Sequence, residues 1–208
     1  MKDRAASIGT RERLLRAGEQ LFRTRGYAGA SLKQLTQAAE VPWGSAYHFF
    51  PGGKEQLGVE VVRQAGEFYG TGWQASFDRA ASPGDAIEKI FRAEARILEA
   101  SDYGNGCPVA AVTLDTASTS EALRSACASA FDVWLLAIAR ALRDAGAPEG
   151  EATALAGFVL SAIEGAITLS RAAKNPAPLL QSATFVRDAI DRKAEEWRAA
   201  RPRSAASP

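Results

Sequence analysis

One imidazole and two thiols bound the covalent and metal chemistry open to this chain. His48 is the only histidine, and Cys107 and Cys127 are the only cysteines, among 208 residues. Zinc sites gather three or four Cys or His ligands at short spacing. None are available here, so no metal and no cofactor is expected. A Cys–His nucleophilic pair would have to use His48, which lies in an aromatic-rich N-terminal segment far from either thiol. Both cysteines read as small apolar packing residues in a reducing compartment, and the chain is expected not to be an enzyme. A different chemistry is concentrated in residues 42–54, PWGSAYHFFPGGK. Trp43 and Tyr47 stand four residues apart, hence on one helix face, beside Ser45, His48 and Lys54. Gly44 removes a side chain where a backbone could come close. Rings, hydroxyls and a cation on one exposed face are the mixture that contacts phosphates and base edges.

Such a face needs short helices to present it. Apolar residues recur at three- and four-residue spacing, and no Asn-Gly or Asp-Gly hairpin separates alternating strands. The chain is therefore expected to be all-α, with about nine helices. Thr10 can cap a first helix whose apolar face is Leu14, Leu15, Ala17, Gly18, Leu21 and Phe22, ended by Gly26. Ser31 caps a short second helix, with Gln34 completing a capping box. Pro42 opens a third helix to about Phe49. Lys54 opens a long fourth one through Leu57, Val61, Ala65 and Phe68. Two short helices across a tight turn, buttressed by the first, have the proportions of a helix-turn-helix. Further helices run from Pro83 to near Ser101, from Cys107 to Ala117, and from a Ser120 cap to Gly146. The last two run from about Pro148 to Ala173 and from about Pro178 to Arg198. The expected division is a DNA-binding domain over 1–54, a ligand-binding and dimerisation domain over 55–200, and a Ser/Ala/Pro-rich disordered tail over 201–208.

Overall charge argues against DNA binding until it is divided. The formal net charge is +1, from 25 basic and 24 acidic residues. Residues 1–63 hold ten basic and six acidic residues, a balance of +4, and the remainder is −3. A basic module is thus joined to an acidic one, which agrees with DNA binding. No run of 18 or more apolar residues is present, and Met1–Ser7 has no apolar region of a secretion signal. A cytoplasmic protein with no membrane partner is expected.

The stretches RLLRAGEQLFRTRGYAGASLKQLTQAAEV (13–41) and PWGSAYHFFPGGKEQL (42–57) resemble the DNA-binding module of TetR-family transcriptional repressors. The extra residue between Phe50 and Lys54 resembles the branch of lincomycin-resistance-type repressors (LmrA/YxaF-like). The stretches GCPVAAVTLD (106–115), FDVWLLAIARAL (131–142) and IEGAITLSRA (163–172) look like that branch's C-terminal domain. The resemblance implies a homodimeric, ligand-responsive repressor on a palindromic double-stranded DNA operator. It implies that Ser31 binds a phosphate and Lys33 a base or phosphate, and that Trp43, Gly44 and Ser45 face the bases. Tyr47, His48 and Lys54 would hold phosphates. Phe49 stands where the family often has His, Pro42 replaces a Ser-type cap, and Glu40 replaces a turn glycine. Trp43 cannot make a bidentate hydrogen bond, so its readout would be a thymine-methyl or shape contact. The alternatives are an activator, or a helical ligand-binding protein whose DNA module has lost function.

Two jobs remain for the C-terminal part. The family pairs its last two helices with their mates, which implies a dimer interface through Leu155, Phe158, Val159, Ala162, Ala166, Ile167 and Ser170. This stretch is apolar on more than one face, as a helix touching both its own domain and a partner must be. Gly157 and Gly165 would allow close approach. The aromatics Phe68, Tyr69, Trp73, Phe77, Phe91, Phe131 and Trp134 could line a cavity for a planar or amphipathic apolar inducer. Glu94, Thr113, Asp115 and Glu164 are its polar candidates, and the resemblance adds Cys107 and Ala111 of the following helix.

Overall fold

A computed structural model describes residues 9–200. Among them it contains nine α-helices and no strand: α1 (Thr10–Arg25), α2 (Leu32–Ala38), α3 (Trp43–Phe49), α4 (Gly53–Arg79), α5 (Pro83–Ala100), α6 (Pro108–Thr116), α7 (Glu121–Asp144), α8 (Glu149–Ala173) and α9 (Ala177–Ala200). The expected tail at 201–208 lies outside the described residues. Most helix ends follow the expected chemistry. Ser31 and Gln34 form a reciprocal capping box, and Ser120 Oγ accepts from the Leu123 N–H at 3.2 Å. Thr10 is not the cap of α1. That position falls to Gly9, with no side-chain bond, and Thr10 is already helical.

The chain divides into two compact units, one made of residues up to Glu67 with Asn105–Phe131, the other of Phe68–Gly104 with residues from Asp132 onward. This differs from the expected boundary at 54. The first α4 turns stay with α1–α3, and α6 and the first half of α7 join them. The cause is long-range pairing that local sequence does not display. The Gly106 N–H donates to the Arg23 carbonyl at 3.0 Å, Gln20 donates to Asn105 at 3.2 Å, and Ser120 pairs with Glu55.

In the first unit the core is Leu14, Leu15 and Phe22 of α1, Leu35 of α2, Leu57 and Val62 of α4, Val109 and Val112 of α6, and Leu123 of α7. Each large side chain so buried contributes roughly 1.5–3 kcal/mol. Gly18 lets α1 lie directly on α4, for a Cβ there would stand 2.8 Å from Val61 and 2.9 Å from Leu57. In the second unit α5 packs along α9, and both meet α8. Its core includes Ile87, Phe91, Leu98, Ile138, Leu142, Ile163, Leu179 and Ile190.

The expectation that no segment is apolar enough to span a membrane needs correction. By length and composition alone, α7 and α8 are. In α8 the apolar residues serve two directions: Ala156, Val159 and Ile163 are buried in the unit, whereas Phe158 and Leu169 are exposed.

Candidate nucleic-acid interface

The outward face of α3 is set by what anchors its inward face. Ala46 and Phe50 are fully buried, so the residues between and before them turn outward at helical spacing. Trp43 and Tyr47 are each 51% exposed, and their rings meet edge to face with centroids 5.9 Å apart. His48 is exposed, its ring 4.8 Å from that of Phe49; it is not a buried structural histidine. Gly44 is exposed, with nothing within 4 Å of where a Cβ would stand. Ser45 is half-buried, its N–H donating to the Pro42 carbonyl at 2.9 Å. Large half-exposed aromatics on an isolated helix face carry a hydrophobic penalty that a ligand or partner would relieve.

On α2, Leu35 and Thr36 are buried and Lys33 is exposed. The Thr36 hydroxyl donates to the Lys33 carbonyl at 2.9 Å, and the Thr36 carbonyl accepts from Val41 N–H at 3.0 Å, which closes the turn toward α3. Ser31 is exposed while its Oγ accepts from the Gln34 N–H at 3.3 Å. The turn depends on Glu40, at φ +52, in the left-handed region where a side chain costs about 1–2 kcal/mol. Arg13 of α1 holds it, donating to the Glu40 carbonyl at 2.8 Å and pairing with its carboxylate at 3.3 Å. Sequence reasoning noted Glu40 in a glycine's place but not the arginine that fixes it. The separation from α1 to the turn hides that contact.

Lys54 departs from expectation. It does not reach outward: its Nζ donates to the Tyr27 carbonyl at 2.6 Å and sits 3.9 Å over the Tyr27 ring. Burial pushes its pKa down, and attraction to Asp115 partly opposes this. Ser31, Lys33, Trp43, Gly44, Tyr47 and His48 remain on exposed surface, Ser45 partly so. Among the described residues no group of three or more His, Cys, Asp or Glu is placed to hold a metal.

Residues 14–61 match the model for bacterial regulatory proteins of the tetR family, and residues 83–184 match the C-terminal domain of LmrA/YxaF-like transcriptional regulators. The HTH-type transcriptional regulator YxaF of Bacillus subtilis is 36% identical over 82% of this chain and 90% of its own length. LmrA of the same organism is 33% identical over 88% and 97%. The chain belongs to the TetR family. Structures agree. A TetR regulator from Legionella pneumophila superposes with a TM-score of 0.78 at 23% identity, covering 90% of this chain and 98% of that one. The TetR-family regulator CifR, as a cysteine mutant complexed with 26-bp operator DNA, gives 0.74 at 25% identity, covering 89% and 99%. As a TetR protein the chain is a DNA-binding transcriptional regulator and not an enzyme.

The residues expected to line a TetR-type ligand pocket are divided between the units. In the first, Asp115 is not turned toward a pocket. Its Oδ2 accepts from the Ala28 N–H at 2.8 Å, in the turn after α1. Thr113 donates back to Val109 at 2.8 Å. Cys107 caps α6 by accepting from Ala110 at 3.4 Å, and Cys127 is buried, as packing predicted. Ala111 and Phe131 are half-buried. In the second, Trp73 and Trp134 are buried with rings 5.4 Å apart, and Tyr69 meets Trp134 at 5.8 Å. Phe91 is fully buried, while Glu94 and Glu164 are half-buried. Phe68 is 72% exposed, which removes it from any enclosed lining within its unit. A cleft of about 320 Å³ in the second unit is bordered by Phe77, Asp78, Pro83, Ala145 and Arg198 among others. Of the residues expected to line a pocket, Phe77 alone borders it.

The expected interface residues also sort differently. Val159, Ala166, Ile167 and Ser170 are core of their own unit, and Ser170 Oγ accepts from the Leu179 N–H at 3.3 Å. Leu155 and Ala162 are half-buried and Phe158 is exposed. Leu169 of α8 and Phe185 of α9 are exposed and had been missed. Following the stripe Phe158, Ala162, Gly165 and Leu169 at three- and four-residue steps would have found the first of them.

Proposed function

We propose that this TetR-family regulator is a repressor that binds a palindromic operator as a homodimer and is released by a small apolar inducer. The observation that carries the reading is the exposed α3 face. Trp43 and Tyr47 stand half out of the surface beside His48, with Ser31 and Lys33 exposed on α2. In this reading Ser31, Tyr47 and His48 engage phosphates, Lys33 a base or phosphate, and Trp43, Gly44 and Ser45 the base edges. Lys54, half-buried and bonded to the Tyr27 carbonyl, is left out of this set. One helix-turn-helix binds DNA weakly, and two-fold pairing supplies matched half-sites. The exposed Phe158, Leu169 and Phe185 of α8 and α9 supply an apolar face for that pairing. The complex of CifR, a protein of similar fold, with operator DNA supports operator binding as the reading.

Inducer binding would favour a dimer whose recognition helices no longer match the operator spacing. A differential affinity of roughly 3 kcal/mol weakens operator binding by about two orders of magnitude. Tyr69, Trp73 and Trp134, whose rings cluster in the second unit, remain the candidates to meet such a molecule.

Titration of the protein against duplex DNA from upstream of its own gene tests the reading. The repressor account expects tight binding whose affinity falls by about 10³-fold or more from 50 to 200 mM salt. Weak binding without salt dependence would leave a helical ligand-binding protein with an idle DNA module.

A further inference from the structure

The amide joining Tyr27 to Ala28 is held at both of its polar ends. Its carbonyl accepts from the Lys54 ammonium at 2.6 Å, and its N–H donates to Asp115 Oδ2 at 2.8 Å. In a trans peptide these groups point to opposite sides, so a cation from the start of α4 and an anion from the end of α6 grip one amide from opposite edges. Both bonds are charge-assisted, and both polarise the amide in the same sense, so each strengthens the other. Lys54 is further seated 3.9 Å over the Tyr27 ring. Gly26, at φ +74, leaves room for the anion: a Cβ there would stand 2.6 Å from Asp115 Oδ2.

The gripped amide lies just before α2. The Ala30 N–H donates to the same Tyr27 carbonyl at 3.2 Å, and Ser31 follows as the cap of α2. We propose that Asp115 and Lys54 form a clasp on the Tyr27–Ala28 amide, and that Asp115 is thereby a positioning residue for DNA binding, setting from α6 where α2 and α3 stand. Its consequence for DNA rests on the repressor reading above, whereas the clasp itself is read independently of DNA. Through this side chain a displacement of α6 reaches the turn before α2 directly.

Two substitutions in the full chain separate this from general stability. D115N keeps an oxygen acceptor without the charge, and D115A keeps neither. Amide hydrogen exchange at Ala28 is measured by NMR, and affinity by fluorescence anisotropy on duplex DNA from upstream of the protein's own gene. Asp115 is exposed, so both variants should fold, which circular dichroism checks. Exchange at Ala28 is expected to be about tenfold faster in D115A, with D115N between the two. Operator affinity should fall about fivefold to tenfold in D115A and recover largely in D115N. In a K54M background the effect of D115A should shrink, because the two arms share one amide. Unchanged Ala28 exchange in D115A would overturn the clasp, and faster exchange with unchanged DNA affinity would overturn its positioning role. If the wild-type protein does not bind the duplex, the repressor reading fails while the exchange rates still decide the clasp.

Discussion

At the scale of single residues, a few side chains divide the work of holding and reading. Glu40 accepts a left-handed backbone at φ +52, and its ion pair with Arg13 is exposed and worth little. Glu40→Gly should therefore stabilise the fold by about 1 kcal/mol, raising Tm by about 2–4 °C; a thermal melt that falls instead would show the Arg13 pair to be the stronger effect. Trp43 and Tyr47 share a face and an equal exposure, yet their chemistry separates them. Tyr47→Ala should weaken binding to all operator sequences, since it removes a hydroxyl suited to phosphate. A Trp43 substitution should change sequence preference. Equal losses across a randomised-operator panel would refute that division. Their shared face was legible from the four-residue spacing; its outward placement follows from the burial of Ala46 and Phe50, which the structure shows. The placements of Lys54 and Asp115 were not legible, because each is fixed by the turn at Tyr27–Ala28, a partner remote in sequence that no local pattern reveals.

At the scale of helices, capping and periodicity carried most of the information. The Ser31–Gln34 box, the Pro83 start and the Ser120 cap each appear where side-chain chemistry placed them. Packing partners were less legible. Along α8 the apolar residues were too many to show which ones face inward, so four core residues were assigned to an interface. The α5–α9 contact carries a prediction of its own. Glu88 of α5 pairs with Arg187 of α9 at 2.7 Å and with Arg92 at 2.7 Å. Hydrogen bonds from Arg92 and Arg187, with their positive charge, hold its carboxyl below the usual carboxylate range. A carboxyl depressed in the folded state contributes stability that is present above its unfolded pKa and lost as pH falls through the folded one. Glu88→Gln should thus lower Tm at pH 7 and flatten its decline below about pH 4.3. An unchanged acid limb in pH-resolved melts would show the pair to be inconsequential.

At the scale of the whole molecule, the two compact units do not coincide with the functional division expected at residue 54. Charge still follows function: the basic excess lies in residues 1–63 and the acidic excess beyond them. The exposed Phe158, Leu169 and Phe185 of α8 and α9 carry the proposed dimer, and a prediction with it. Phe158→Glu combined with Leu169→Glu should convert the dimer to a monomer in sedimentation and reduce operator affinity at least tenfold, by separating the half-site contacts. A dimer persisting in that double variant would move the interface elsewhere.

In the proposed function the α2–α3 face reads a specific, two-fold symmetric DNA site. Selection of the full-length protein against randomised duplexes tests it most directly. The expected result is enrichment of an inverted repeat whose half-sites lie about one helical turn or a multiple apart, with enrichment lost in Tyr47→Ala and redirected by a Trp43 substitution. Recovery of no symmetric sequence, or of the same sequence after both substitutions, would contradict it.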